Sequence, residues 1–213
     1  MTKRLRGPEI LVAALIATIV TACGSTTGAP PAPPAPGELI WQAPINPLEL
    51  TVSAGLQPEA RETLTYHVHA HLDVFIDGRS VLVPAGIGIN LTDPAVKRGQ
   101  WNGGPTYGGI MGCAQPCISP LHTHYESGVI HTESGANFNN RLGQFFTEWD
   151  VKLTNSCVGQ YCEPATKILV YVDGKPYSGD VAAITLTNQK EIAVVIGAPP
   201  KQIPSSFPSW ATG

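Results

Sequence analysis

The stretch Tyr66 to Ile76, read YHVHAHLDVFI, constrains this chain more than any other part of it. Side chains alternate across a β-strand, and this stretch sorts cleanly under that rule. His67, His69, His71 and Asp73 fall on one face, while Tyr66, Val68, Ala70, Leu72, Val74 and Ile76 fall on the other. One strand therefore offers both a core face and a row of metal-type ligands. The chain has six histidines, and the remaining three, His122, His124 and His131, share a second short stretch, HTHYESGVIHTE. The protein reads as a scaffold that brings the two stretches together.

The start of the chain reads as an address. Lys3, Arg4 and Arg6 precede an apolar run from Ile10 to Val20, too short to span a bilayer comfortably, followed by Val20-Thr21-Ala22-Cys23. This resembles a bacterial lipobox, and the resemblance implies a signal peptide over residues 1–22, cleavage before Cys23 and a lipid on that cysteine. The expected location is the extracytoplasmic face of the cell membrane, held by the lipid. Residues 23–37, rich in Pro and Ala, cannot bury apolar surface and read as a semi-rigid spacer. The folded domain is expected over residues 38–213.

Cleavage would remove three of 13 basic and one of 16 acidic residues, taking the formal charge from −3 to −5. No basic stripe remains, so a nucleic-acid partner is not expected, because phosphate binding needs clustered Lys and Arg. After Cys23 the cysteines are Cys113, Cys117, Cys157 and Cys162, an even set that reads as two disulfides in an exported protein. Spacing favours the local pairs Cys113–Cys117 and Cys157–Cys162. The alternative makes Cys117, close before His122, a soft metal ligand.

The fold expected is mainly β, an antiparallel sandwich- or barrel-like domain with one short packed helix. Strands are expected at Leu48–Val52, Tyr66–Ile76, Ser80–Pro84, Ile87–Leu91, Leu121–Tyr125, Val129–Glu133, Lys167–Val172 and Glu191–Ile196. Asp77-Gly78 and Asp173-Gly174 follow apolar runs and signal tight hairpins. Leu142, Phe145, Phe146 and Trp149 recur at helical spacing within Arg141–Val151, with Asn140 as its N-cap. Gly103–Gly112 and Pro199–Gly213 read as loops.

Ser127-Gly128 is a plausible hairpin turn, and it would set His124 opposite His131 and His122 opposite Glu133. Cross-strand neighbours have Cβ atoms about 5 Å apart, close enough for both to reach one ion. His67 and His71, roughly 13 Å apart along a strand, hardly can. If the YHVHAHL strand lies beside the HTH strand, two histidines from each could complete a four-coordinate site, with Asp73 and Glu133 supporting the ligands. Imidazole points to zinc or copper rather than calcium or magnesium, and only two methionines argue against a thioether copper(I) site.

The segments HxHxHLxVFxDG (His67 to Gly78), VPAGIGI (Val83 to Ile89), LHTH (Leu121 to His124), SGVIH (Ser127 to His131) and LGQFF (Leu142 to Phe146) together resemble an uncharacterised family of exported, His-rich bacterial and archaeal proteins. The resemblance implies that they belong to one domain and assigns no activity. Three functions stay open. The first is a lipid-anchored protein that buffers or delivers zinc or copper. The second is a zinc hydrolase or hydratase, or a copper redox enzyme, in which Glu133 or Glu126 would handle a proton. The third is an unmetallated envelope protein responding to pH. There is no GxSxG, HExxH, GxxxxGK[ST] or GxGxxG motif to support a serine hydrolase, zincin, NTPase or dinucleotide enzyme.

Overall fold

Tyr66–Ile76 forms one unbroken strand, β1, over the full length of the alternating pattern. The computed structural model describes residues 34–137 and 139–211. The expected signal peptide, Cys23 and the spacer up to residue 33 lie outside them. The other strands are β2 (Arg79–Val81), β3 (Lys97–Trp101), β4 (Gly104–Gly108), β5 (Leu121–His122), β6 (Val129–Ser134), β7 (Leu153–Thr154), β8 (Cys157–Val158), β9 (Tyr161–Cys162), β10 (Ile168–Val172), β11 (Lys175–Pro176) and β12 (Lys190–Ile196). The α-helices are α1 (Leu48–Ser53) and α2 (Leu142–Glu148).

The domain is mainly β, as its strand patterns require. Its principal sheet runs β11-β10-β12-β1-β6-β5, with β2 also pairing with β1. It is open, and no barrel closes among the described residues. It is also mixed, because β1 and β12 pair in parallel, Ala70 with Lys190 through Ile76 with Ile196. A parallel pair needs a long crossover, and everything from β2 to β11 supplies one. β12 is buried on both faces, which fits its nearly continuous apolar run IAVVI.

Both Asp-Gly hairpins form. Asp77 and Gly78, like Asp173 and Gly174, have positive φ, the backbone that a two-residue turn between twisted strands demands. α2 packs Leu142, Phe145, Phe146 and Trp149, each at most 1% exposed, against Leu72, Ile130, Val170, Ile192 and Val194 in the main core. Its cap is Arg141 rather than the expected Asn140, which is buried and donates instead to Thr132 Oγ1. The two disulfides are Cys113–Cys117 and Cys157–Cys162. Both local pairs are therefore present, and Cys117 is not available as a metal ligand.

Several elements differ from expectation for identifiable reasons. Leu48–Val52 is helical. Thr51, not Val52, is buried, and Val52 is 57% exposed, so tertiary packing overrides the alternating pattern. Ile87–Leu91 is a run of turns, since Gly86 and Gly88 both have positive φ. Gly88 also lies so close to the Leu121 carbonyl that a Cβ would overlap it. Within the expected loop Gly103–Gly112, β4 pairs with β3 around Asn102-Gly103, both with positive φ.

The β5–β6 register is shifted by two residues from the expected one. His122 faces His131 and Leu121 faces Thr132. After His122 the chain leaves β6: Thr123 exchanges backbone hydrogen bonds with Gly86 and Ile87, and Tyr125 bridges Thr106 of the β3–β4 hairpin. The connection is thereby longer than a two-residue turn. A shift of two keeps each side chain on its face, so the histidines still converge. β6 lies between β1 and β5, so the YHVHAHL strand neighbours β6, not the HTH strand.

Gly128 fills the gap between β6 and β2 along β1, where its carbonyl accepts from Leu72 N at 2.9 Å. Its φ is +77°, and a Cβ there would overlap Leu72 O and stand 3.1 Å from His71 Nε2. Gly128→Ala is therefore expected to lower stability by about 2–3 kcal/mol, combining backbone strain with lost strand pairing. Thermal unfolding checks it; an unchanged midpoint would mean that this approach is not close.

Candidate metal centre

Three adjacent strands place a row of imidazoles on the face of the sheet opposite the α2 core. His69 of β1 pairs with His131 of β6, and His131 pairs with His122 of β5. In the next row His67 faces Glu133. His124, at a bend just beyond β5, returns to the same place with its ring anchored on the Tyr107 carbonyl. Five of the six sequence-identified histidines thus surround Glu133, which is 4% exposed.

The distances suit a shared ion. His122 Nε2 and His124 Nε2 are 3.2 Å apart. They stand 3.8 and 3.7 Å from the Glu133 carboxylate oxygens, and His131 Nδ1 is 3.2 Å from Glu133 Oε1. Two nitrogens each about 2.0–2.1 Å from one tetrahedral ion are roughly 3.3 Å apart. His67 Nε2 and His69 Nε2 are 2.8 Å apart, and His67 Nε2 is 3.2 Å from Glu133 Oε1. Ligand atoms of His122, His124, His131 and Glu133 all lie within 4.8 Å of one another, and so do those of His67, His69 and His131. These buried His/Glu groups can hold a metal ion.

Backbone carbonyls fix how two of the rings present themselves. His122 Nδ1 lies 2.9 Å from Ser119 O, and His124 Nδ1 lies 2.6 Å from Tyr107 O. A carbonyl only accepts, so each Nδ1 carries the hydrogen. Both Nε2 atoms of the neutral rings therefore aim lone pairs at the same point. That is the way metal-binding histidines are oriented by their outer partners. His131 Nε2 and Glu133 Oε2 are also buried without a hydrogen-bond partner. Buried polar atoms are seldom left so, and an ion would satisfy both.

The electrostatics favour neutral imidazoles at His69, His122 and His131 around one anion, Glu133. Burial, then the charge of His124, holds His122 well below the ordinary histidine range. Burial takes His131 down to about 4, outweighing its hydrogen bond to Glu133, and lowers His69. His124 is raised despite burial, because Glu133 and the Tyr107 carbonyl hold its proton. Burial would raise Glu133, but the hydrogen bonds from His124 and His131 hold it far below the usual carboxylate range. With Glu133 ionised and His69, His122 and His131 held neutral, an entering divalent cation has only the His124 proton to displace from this donor set.

His71 and Asp73 are not part of this cluster. His71 donates from Nε2 to Ser127 O at 2.9 Å, and its Nδ1 faces Glu191 at 3.0 Å and Asp73 at 3.6 Å. Burial would lower His71, yet Glu191 and Asp73 raise it, while burial pushes Glu191 up to about 7. Phe207 and Trp210 lie edge-on to the ring. Asp73, expected to support the metal ligands, stands beside His71, and His71, Asp73 and Glu191 offer ligand atoms within 4.8 Å of one another, a separate group that could hold an ion. Glu126 turns its carboxylate to Gly104 of β4, outside the clusters of converging ligand atoms.

Glu191 escaped the sequence reading because it arrives from β12, 120 residues from His71. So did an aromatic group: Trp101, Tyr125 and, from the expected loop Pro199–Gly213, Trp210, with ring centroids 5.4 and 6.0 Å apart around Trp101. With His69 and His131 they line a cavity of about 240 Å³. The Asn102-Gly103 hairpin signal could have placed Trp101 at a strand end. No family model, curated protein or solved structure matches the chain.

Proposed function

We propose that this protein is a lipid-anchored, extracytoplasmic metal-binding protein that takes zinc or copper through its clustered histidines. The observation that carries the reading is the pair of Nε2 atoms of His122 and His124, their rings oriented by the Ser119 and Tyr107 carbonyls so that the two nitrogens stand 3.2 Å apart beside the Glu133 carboxylate. Imidazole with one carboxylate suits zinc or copper(II). Two disulfides fit an oxidising compartment, in agreement with the lipobox-like start of the chain. The tethered domain would hold the ion at the outer face of the membrane.

The test is competition for zinc and for copper between the metal-free domain and a chromophoric chelator. The His122→Ala/His124→Ala double variant is expected to lose at least about 100-fold in affinity, and the metal to raise the unfolding temperature of the parent only. Equal affinity in parent and variant would sink the proposal. A metal-dependent enzyme is the second reading, favoured by one observation: the cavity of about 240 Å³ reaches His69 and His131, beside the cluster. When bound, the ion would supply a Lewis acid, with Glu133 among the groups that hold it.

A further inference from the structure

The cluster has more donors than one ion uses. A tetrahedral ion takes four ligands, and His122, His124, His131 and Glu133 supply four that converge. His67 and His69 are then left over, yet their Nε2 atoms converge on each other at 2.8 Å, and a ligand atom of His131 lies within 4.8 Å of both. His131 belongs to both groups and is central: its ring lies edge-on to those of His69 and His124, with centroids 4.3 and 4.5 Å away. Its two nitrogens have different surroundings. Nδ1 is 3.2 Å from Glu133 Oε1, whereas Nε2 is buried and has no partner.

We infer that the site holds two divalent transition-metal ions that share His131: one enclosed by His122, His124 and Glu133, the other held by His67 and His69 at the mouth of the aromatic cavity. This rests on the metal-binding reading above. The shared ring would offer one nitrogen to each ion and give up its remaining N–H proton to solvent as the second ion binds. The two positions are unequal. His122 is fully buried and Glu133 nearly so, while the His67 side chain is 34% exposed and His69 lines the cavity with Trp101, Tyr125 and Trp210. The enclosed position has four protein ligands. The outer one has three, leaving room for a small donor molecule entering from the cavity.

The experiment loads the soluble domain with excess zinc, removes free metal by gel filtration and counts bound zinc by elemental analysis. Two equivalents are expected in the parent and one in His67→Ala/His69→Ala, whose retained ion also reports an intact fold. His131→Ala is expected to weaken both positions, each by at least tenfold in chelator competition. With copper(II), azide is expected to produce a ligand-to-metal absorption band in the parent and none in His67→Ala/His69→Ala. One equivalent in the parent, two retained in the His67/His69 variant, an effect of His131→Ala on one position alone, or azide binding that survives loss of His67 and His69 would each overturn the two-ion arrangement. The first three leave at least one metal site standing. No zinc in the parent would instead remove the metal-binding reading itself.

Discussion

Replacing Glu133 by glutamine is expected to weaken zinc or copper binding by at least about 100-fold while leaving the metal-free domain folded. The carboxylate is reached by His67, His122, His124 and His131 between 3.2 and 3.8 Å, so it is the single negative charge offsetting an ion held by imidazoles. Glutamine keeps the shape and removes the charge, and its NH₂ cannot ligate. Chelator competition measures the loss. Glu126→Gln is the control, because that carboxylate lies against Gly104, and its affinity is expected to stay within about twofold of the parent's. Equal losses from both substitutions would mean a general charge effect rather than coordination by Glu133.

Glu148→Gln is expected to stabilise the metal-free domain at neutral and alkaline pH. Glu148 sits in α2 with no exposed surface, and neither of its carboxyl oxygens has a hydrogen-bond partner. Burial pushes its pKa up to about 8. The folded form therefore holds a proton that the unfolded chain releases above pH 4.5. Its penalty is absent below that pH and grows as pH rises towards 8, so stability falls over this interval. At pH 7 the cost is on the order of 3 kcal/mol, and glutamine, which does not ionise, avoids it. The variant should unfold about 5–10 °C higher than the parent near pH 8 and at a similar temperature near pH 4.5. A difference that is the same at both pH values would show that packing, not ionisation, sets the effect.

The parts of this architecture that were legible in the chain depend on local signals. Tyr66–Ile76 carries its own alternation, Asp-Gly turns need only two residues with positive φ, and the aromatic stripe of α2 repeats over two turns. The cysteine pairs, four and five residues apart, were readable for the same reason. The two-residue slip of β5 was not, because its cause is distant: Gly86 and Ile87 capture Thr123, and Thr106 captures Tyr125. The ligand identities survived that slip because strand faces repeat every two residues. Separation of His71 from the other five histidines depends on Glu191, which only the parallel β1–β12 pairing brings alongside. The carbonyls of Ser119 and Tyr107, which fix the ring tautomers, have no side-chain signature at all.

Elemental analysis of the soluble domain, produced in the periplasm and purified without affinity-tag histidines or chelator, tests metal binding most directly. The parent is expected to carry at least one equivalent of zinc or copper, and His122→Ala/His124→Ala to lose the ion that Glu133 shares. A parent free of metal even after dialysis against both ions at mildly alkaline pH, where imidazoles are neutral, would contradict it.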